Sequence, residues 1–518
     1  MSDGTTPKKK ILIVGGGTAG WMTAALFVHG WADRADITLL ESSTIGTIGV
    51  GEGSTPKMRR FFDKLGVPEA EWMPACNASY KCGIRFPDWS TRKGYRSYYH
   101  PFFSQADDTT IRAFFQNATL RNRNLDVHAH PDAFFVSNYL AMSRRAPLPG
   151  ATTSYTTDYA YHFDAGLIGE FLKGYAVSRG VEHVIDTVSE VRRLDNGDLA
   201  GVEAGEHGFI EADFFVDCTG FASLLIGKTL GVPFHSYKNL LFNDRAVAMP
   251  TAHEADSGLP SETLSTAMKY GWRWKIPLTN RYGNGYVYSS DYIDETQAEH
   301  ELREQLGMLD DPVEARHLKM RIGRVERCWE HNCLAVGLAQ GFVEPLEATA
   351  LMVVQDTVET FMQRFEQGDF TARFRAEVND KVNLIFDGVR NYIFMHYKLN
   401  SRDDTEYWIA NRENSHVPDD VTRILAVWDK GGDLLGELRS QAARLVYSPT
   451  SWYCILAGMG RFPRSPKKPK PKIEVADLAA ARSFCERLVT HFPDHRATLA
   501  AQRHEPPGDG LRAVGERD

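Results

Sequence analysis

Lys81 and the run Trp272-Arg273-Trp274-Lys275-Ile276-Pro277 are the residues of this chain whose chemistry is most informative. Lys81 is followed within a few positions by the apolar residues Ile84 and Phe86. Apolar surroundings disfavour the charged form of an amine, so we expect a lowered pKa and a nucleophilic lysine if this segment is desolvated. From residue spacing alone, an ordinary surface lysine on a strand from Tyr80 to Phe86 is the simpler interpretation.

The two tryptophans of that run are separated by one residue. Residues two apart point to the same face of a strand, so Trp272 and Trp274 would form one wall of a pocket. Two buried core tryptophans are the alternative interpretation. A pocket with such a wall could hold a cofactor.

A glycine loop near the start of the chain indicates what that cofactor contains. The apolar run Ile11-Leu12-Ile13-Val14 predicts a buried strand, and it leads directly into Gly15-Gly16-Gly17-Thr18-Ala19-Gly20, which fits G-x-G-x-x-G. Gly15 would make the tight turn, Gly17 would let the backbone approach a pyrophosphate, and Gly20 would let a helix beginning near Ala19 pack on the strand. The helix N-terminus would face the phosphates.

A second strand, Ile37-Thr38-Leu39-Leu40, ends at Glu41. An acid about twenty residues after the glycine loop binds a ribose hydroxyl and disfavours a 2′-phosphate. Strand, glycines, helix, strand and acid in this order predict a dinucleotide site, whereas the glycine motif alone would fit any glycine-rich turn.

Composition excludes several classes of function. The chain has 518 residues, 43% apolar and 24% charged, with a formal net charge of −8, so we expect no nucleic-acid partner. It contains no signal peptide and no span of about 18 apolar residues, so we expect no membrane partner and a cytoplasmic location. Seven scattered cysteines without C-x-x-C spacing favour reduced thiols over disulfides or zinc. His128 and His130 lack a third ligand nearby, so we predict no metal.

The remaining pattern predicts an α/β fold. The apolar strand Phe214-Phe215-Val216 is expected to return to the nucleotide domain, and residues of about 80–160 and 235–325 to form a sheet layer. We predict four parts, listed here by residue number: a core of 8–370, a helical substrate-side region of 371–460, a Pro/Lys linker with a C-terminal helix at 461–504, and a disordered tail at 505–518.

Seven segments carry a family resemblance: Gly15 to Met22, Gly49-Val50-Gly51-Glu52 with Pro56, Glu71-Trp72-Met73, Asn77 to Lys81, His100-Pro101-Phe102, Trp272 to Pro277, and Phe342 to Thr349. Over residues 8–460 the chain resembles the flavin-dependent halogenases, specifically the tryptophan-halogenase-like group. The tryptophan–isoleucine–proline signature and the lysine context are specific, whereas many flavoproteins share the glycine loop. The resemblance implies an FAD-binding Rossmann-like domain of the aromatic hydroxylase and halogenase type, a β-sheet layer and a helical C-terminal substrate region.

The resemblance also implies a reaction. Reduced FAD and oxygen form a hydroperoxide, a chloride or bromide ion attacks it, and the resulting hypohalous acid passes to an aromatic substrate. Lys81 matches the lysine that hydrogen-bonds this acid or forms a haloamine, and Glu347 matches the carboxylate that polarises it or stabilises the arenium intermediate. A helix N-terminal acid facing the dipole is the alternative interpretation of Glu347.

Cofactor, halide and substrate contacts follow from the same matches. The flavin contacts would be Gly15, Gly16, Gly17, Thr18, Ala19, Gly20, Glu41, Ser42, Ile45, Val50, Val188, Leu338 and Leu351. Thr349 and Ala350 match the halide-binding pair at a helix N-terminus. The family usually has serine and glycine where this chain has Ala348 and Ala350, so the halide preference stays open.

His100, Phe102 and Trp452 match residues that contact an aromatic substrate. Enzymes that act on free tryptophan carry a tyrosine pair, a glutamate and phenylalanine-tryptophan before the segment that resembles Trp452 to Gly458. Counted back from that segment, this chain has Leu435-Gly436, Ala442 and Val446-Tyr447. We therefore expect an electron-rich aromatic without the amino-acid group, such as indole or an indole derivative.

Two other classes of function remain open from the sequence. An aromatic hydroxylase would use the same fold without needing Lys81, and a non-catalytic flavin-binding protein would bind FAD without turnover. No second glycine fingerprint for a nicotinamide nucleotide is visible, which fits a separate flavin reductase as the supplier of FADH2.

Overall fold

The computed structural model of the protein describes residues 7–44, 51–150, 154–253, 258–463 and 475–504. The strands are β1 Lys9–Val14, β2 Ala35–Glu41, β3 Gly51–Gly53, β4 Ser79–Lys81, β5 Gly83–Pro87, β6 Ser97–Pro101, β7 Ala160–Asp164, β8 Glu182–Ile185, β9 Val188–Arg193, β10 Leu199–Ala204, β11 Gly208–Glu211, β12 Phe214–Asp217, β13 Phe234–Ser236, β14 Arg245–Thr251, β15 Thr263–Ala267, β16 Gly271–Pro277, β17 Tyr282–Tyr288, β18 Arg316–Lys319, β19 Gly323–Val325, β20 Trp329–Glu330, β21 Cys333–Ala335 and β22 Gly341–Phe342.

The α-helices are α1 Thr18–Trp31, α2 Lys57–Leu65, α3 Glu69–Ala75, α4 Asp108–Asn122, α5 Val136–Met142, α6 Ala165–Val177, α7 Glu295–Leu306, α8 Ala350–Gln367, α9 Arg375–Leu399, α10 Glu406–Glu413, α11 Asp419–Asp429, α12 Leu434–Ser440, α13 Pro449–Gly458, α14 Leu478–Val489 and α15 His495–His504.

A six-stranded sheet forms the nucleotide-binding layer, in the order β20-β21-β12-β1-β2-β8. Strand β1 pairs in parallel with β12 through Ile11 and Phe214, and with β2 through Ile11 and Ile37. The apolar half of β1 is buried, as in parallel strands that are covered on both faces. The return of β12 to this sheet agrees with the α/β fold predicted from the sequence.

Aromatic side chains fill the core between this sheet and helices α1 and α8. The ring of Phe361 on α8 lies 5.0 Å from that of Phe214 and 4.9 Å from that of Trp329, measured between centroids. Trp31 at the end of α1 lies 6.1 Å from the same Phe361 ring. Aromatic packing of this kind holds α1, and with it the glycine loop, against the sheet.

A seven-stranded sheet in the order β18-β14-β17-β16-β15-β5-β6 covers the cofactor side. Residues 83–101 and 245–319 supply its strands, so the predicted sheet layer is present. Between them, residues 108–122 and 136–142 are helices α4 and α5, so the expectation of sheet across 80–160 is wrong there. The buried residues Trp272, Trp274 and Ile276 alternate along β16.

The predicted continuous strand from Tyr80 to Phe86 is also wrong. Strand β4 ends at Lys81 and is the edge of a small sheet in the order β3-β7-β4, whereas β5 begins at Gly83 and belongs to the seven-stranded sheet. The backbone changes sheets at Cys82, whose N–H donates to the carbonyl of Ser261. Lys81 therefore lies at the junction of the two sheets.

The chain is helical beyond residue 350, with α8 to α13 before residue 459. Two helices, α14 and α15, follow where the sequence pattern predicted one. Most of the predicted proline-rich linker, residues 464–474, and the whole predicted tail lie outside the described residues. In the described part of the chain, no helix is long and apolar enough to cross a bilayer.

Candidate active site

A cavity of about 690 Å³ opens where β1 and β2 end. Its lining includes the predicted cofactor residues Gly15, Gly16, Gly17, Thr18, Ala19, Glu41, Ser42, Val188, Leu338 and Leu351. Gly20 packs behind the loop, because a Cβ on it would meet the Gly15 carbonyl oxygen at 2.0 Å. Ile45 and Val50 lie outside the described residues.

The glycine loop leaves room for a ligand rather than for protein. Gly15 has φ of +112° and its Cα faces the Cys218 carbonyl, so no larger residue fits that turn. A Cβ on Gly17, in contrast, would meet no protein atom within 4 Å. Position 17 therefore requires glycine only if something outside the protein approaches its backbone, as a pyrophosphate does.

Two tryptophans of β16 form one wall of the cavity. The rings of Trp272 and Trp274 are 6.2 Å apart between centroids, and both line the cavity. The Nε1 of Trp272 donates to Glu344 at 2.7 Å, and the hydroxyl of Tyr397 donates to the same carboxylate oxygen at 2.6 Å. Burial raises the pKa of Glu344, a residue that the sequence analysis named only as part of a motif.

Lys81 is fully buried beside this cavity, because a Cβ placed on the cavity-lining Gly53 would lie 3.1 Å from its Nζ. Its Nζ donates to the carbonyl oxygen of Ser54 at 3.0 Å and lies 5.4 Å from the centre of the Phe102 ring. Burial lowers the pKa of Lys81 to about 7, against the opposing effect of the Glu347 charge. The surface-lysine interpretation is therefore wrong, because the shift from β4 to β5 turns the side chain inward.

Glu347 is held between two histidines. One carboxylate oxygen accepts from His100 Nδ1 at 2.9 Å, and the other lies 3.1 Å from His396 Nε2. Although burial alone would raise its pKa, these histidines lower the pKa of Glu347 to about 2. The carboxylate thus presents a fixed negative charge, and it contacts these rings rather than only facing the dipole of α8.

The predicted halide pair lies at the start of α8. Thr349 is the N-cap residue and Ala350 is the first residue of the helix, and both line the cavity. The N–H groups of a first helical turn have no partner within the helix, so an anion is stabilised there. Ala348, just before them, has φ of +56°, which turns the chain sharply between Glu347 and the helix.

The three predicted substrate residues have different surroundings, and His100 is the one that contacts Glu347. His100 has both ring nitrogens engaged, with Nε2 lying 2.9 Å from the Ser451 hydroxyl. Phe102 is partly buried beside Lys81. Trp452 on α13 is buried, and its Nε1 has no hydrogen-bond partner among the described residues.

Several residues that the sequence analysis did not single out complete this region. His396 and Tyr392 lie on α9, and the ring of Tyr392 stacks on that of Tyr447 at 3.7 Å between centroids. A histidine within the otherwise apolar run Tyr392 to Tyr397 was the available sequence signal. Helical periodicity places such a residue in the core but does not name its partner.

The segment before α13 is the one compared above with the tyrosine pair and glutamate of enzymes that act on free tryptophan, and much of it is exposed or only partly buried. Ala442 is exposed, so this position does not itself line the site. Glu437, the one acid of residues 434–447, lies 2.5 Å from Gln441 and 3.4 Å from Arg423. Leu435, Val446 and Tyr447 are partly buried.

In the described part of the chain, no group of three or more His, Cys, Asp and Glu side chains has the arrangement of a metal site.

Comparisons with known proteins agree with this geometry. The chain matches the family model described as tryptophan halogenase over residues 10–474. It is 40% identical to tryptophan 6-halogenase SttH of Streptomyces toxytricini over 98% of each chain, and 35% identical to tryptophan 7-halogenase RebH of Lentzea aerocolonigenes over 88% of this chain and 90% of that protein. The structure of BrvH, a flavin-dependent halogenase from Brevundimonas sp. BAL3, matches with a TM-score of 0.83 at 33% identity, covering 96% of this chain and 99% of that one. These matches extend well beyond the nucleotide domain.

Proposed function

This chain belongs to the tryptophan halogenase family and is a flavin-dependent halogenase, and we propose that it delivers an electrophilic halogen through Lys81 to an electron-rich, indole-bearing aromatic. The observation that carries this proposal is the amine of Lys81, which is fully buried beside the cavity and has its pKa lowered to about 7. An amine that is partly neutral at physiological pH can accept a halogen or hydrogen-bond a hypohalous acid.

FAD fits the residues of the cavity. The open position at Gly17 suits a pyrophosphate, Glu41 suits a ribose hydroxyl, and the tryptophan wall suits a flat ring system. When bound in reduced form, FAD would supply the oxidising equivalents from oxygen that convert halide to hypohalous acid. We propose that a separate flavin reductase supplies this reduced FAD.

The chain's own residues would then divide the work. Thr349 and Ala350 would hold the halide at the start of α8. Trp272, fixed by Glu344, would keep the aromatic substrate away from the flavin. Glu347, charged between its two histidines, would stabilise the cationic intermediate of the attacked ring. Lys81 would hold the halogen in one position, whereas a free hypohalous acid is not held in any fixed position.

The substrate proposal rests on the segment before α13. Its one acid, Glu437, already interacts with Arg423 and Gln441, so we propose that the segment offers no carboxylate to a substrate ammonium. His100, Phe102 and Trp452 are proposed to contact the aromatic ring. We therefore favour indole or an indole derivative over free tryptophan, although SttH and RebH are named for tryptophan.

Mass spectrometry tests the proposal directly. The protein is supplied with FAD, a flavin reductase, oxygen and a panel of aromatics, with chloride and bromide in separate reactions. We expect products whose masses and isotope patterns show one added halogen. A hydroxylated product that is independent of halide, or flavin oxidation without any halogenated product across an indole panel, would contradict it.

A further inference from the structure

A buried histidine that the proposed reaction does not use lies next to Lys81. His162 is on β7, the strand that pairs with β4, and it is fully buried. Its Nδ1 lies 3.2 Å from the hydroxyl of Ser79, and its Nε2 lies 2.9 Å from the hydroxyl of Thr263. Burial and the charge of Lys81 lower the pKa of His162 well below its usual range, so the ring is neutral.

The hydrogen-bond chain determines which nitrogen carries the proton. The Ser79 hydroxyl donates to the carbonyl oxygen of Pro277 at 2.5 Å, and that oxygen can only accept. Ser79 has one hydroxyl proton, so it must accept from His162, and the imidazole proton lies on Nδ1. The other nitrogen, Nε2, then accepts, and the Thr263 hydroxyl donates to it.

The Thr263 oxygen consequently has only lone pairs to offer to any further partner. Thr263 lines the cavity, and a Cβ placed on Gly53 would lie 3.5 Å from its Oγ and 3.1 Å from the Nζ of Lys81. The two atoms thus border the same small space next to the Cα of Gly53. Any group that occupies this space and faces Thr263 must donate a hydrogen bond to it.

We infer that Thr263, with its hydroxyl proton committed to His162, is a positioning residue for the halogenation step: its oxygen accepts a hydrogen bond from the hydroxyl of the hypohalous acid held beside Lys81. This inference rests on the proposed role of Lys81. A fixed acceptor there would turn the halogen of the acid away from Thr263 and towards the rest of the site.

Variants of the full-length protein test the inference through the fraction of oxidised FADH2 that yields halogenated product. Thr263→Val keeps the shape of the side chain but removes the acceptor, and we expect about a ten-fold lower fraction, as for loss of one buried hydrogen bond. Thr263→Ser keeps the hydroxyl and should remain within about two-fold of the parent. FAD affinity should be unchanged in both variants.

A matched pair at position 162 separates positioning from a purely structural role. The side-chain amide of Gln reaches the place of Nε2 and can accept from the Thr263 hydroxyl. The shorter amide of Asn can only replace the Nδ1 donor. His162→Gln should therefore retain more halogenation than His162→Asn. In the Thr263→Val background, His162→Asn should lower the halogenated fraction by less than about two-fold further, because its effect passes through Thr263.

Each alternative outcome has a distinct meaning. If T263V halogenates like the parent, or lowers FAD affinity with an unchanged halogenated fraction, the inference is wrong while the proposed function stands. If the reductions in halogenated fraction caused by H162N and by T263V multiply fully in the double variant, His162 does not act through Thr263. If T263V does not fold, the comparison of H162Q with H162N decides. If Lys81→Ala still halogenates, the proposed function itself fails.

Discussion

Two buried residues, Lys81 and Glu347, carry the proposed reaction chemistry at the scale of single side chains. Lys81 has its pKa lowered towards neutrality by burial, whereas the histidines beside Glu347 keep its carboxylate ionised. The two side chains are therefore tuned in different ways within one region. Paired groups whose environments separate their protonation behaviour are typical of catalytic sites.

Lys81→Ala is expected to abolish halogenation, because no other amine is proposed to hold the halogen. FAD binding and flavin oxidation should remain nearly intact, since Lys81 is not among the residues that line the cavity. The measurement is product formation by mass spectrometry beside FAD titration and oxygen consumption. Loss of FAD binding in this variant would instead identify Lys81 as a structural residue.

Burial of Lys81 should also lower stability in a pH-dependent way. Between a folded pKa of about 7 and the usual pKa of an exposed lysine, the unfolded chain binds more protons, so the free energy of unfolding rises with pH. Lys81→Met removes this effect. The variant should be more stable than the parent by a larger amount at pH 7 than at pH 9. This gain in the free energy of unfolding should shrink by about 1.4 kcal/mol per pH unit.

Chemical unfolding at both pH values measures that difference. An equal stabilisation by Lys81→Met at pH 7 and pH 9 would show that Lys81 is charged in the folded protein.

At the scale of elements, the loop between β1 and α1 and the start of α8 face the same cavity. Both present backbone N–H groups at a helix N-terminus, which favours anions. One suits the pyrophosphate of FAD and the other a halide. Their positions follow from the packing of α1 and α8 against the same sheet.

Gly17→Val should sharply reduce FAD affinity. The position has ordinary backbone angles and no protein atom within 4 Å of an added Cβ, so the folded chain tolerates the side chain while the ligand does not. Fluorescence titration with FAD measures the effect, and the melting temperature without FAD serves as the control. Unchanged affinity would mean that the pyrophosphate binds elsewhere.

Bromide should support at least as much product as chloride. Ala348 and Ala350 replace the serine and glycine usual in the family, so we expect a weakened halide site, and bromide is the more easily oxidised ion. Ala350→Gly should raise the yield with chloride relative to bromide. Parallel reactions at equal halide concentration measure the ratio; a strong chloride preference in the parent enzyme would contradict this argument.

At the scale of the whole molecule, the proposed substrate side is formed where the C-terminal helices meet the two sheets. Strand β6 brings His100 to Glu347, and helices α9 and α13 bring His396 and Ser451. The segment between α12 and α13 packs against α9, since a Cβ on Gly388 would meet Val446 at 2.6 Å. The same part of α9 lines the cavity through Phe386 and Val389, so changes in that segment can reach both the substrate side and the cavity.

We expect indole to be halogenated with a higher kcat/KM than L-tryptophan under the same flavin supply. A bound tryptophan would leave its ammonium and carboxylate without partners, at about 1–3 kcal/mol for each unsatisfied group. Steady-state kinetics on both substrates measure the difference. Faster turnover of tryptophan would show that residues outside 434–447 bind its amino-acid group.

Features that are local in the chain could be predicted from its sequence. The glycine loop, the acid at the end of β2 and the apolar stripe of α8 depend on neighbouring residues, so their patterns predicted a nucleotide site and a helix. The family motifs identified Lys81 and Glu347, but their burial, and the change of sheets at Cys82, could not be predicted from strand spacing.

Only the tertiary structure decided which side chains meet. His100 and Glu347 are 247 positions apart, and His162 and Thr263 are 101 positions apart. Periodicity shows which face of an element is buried, but not which element covers it. The two histidines of Glu347 and the hydrogen-bond chain from Pro277 to Thr263 exist because strands and helices distant in sequence pack together, and their pKa shifts arise from that burial.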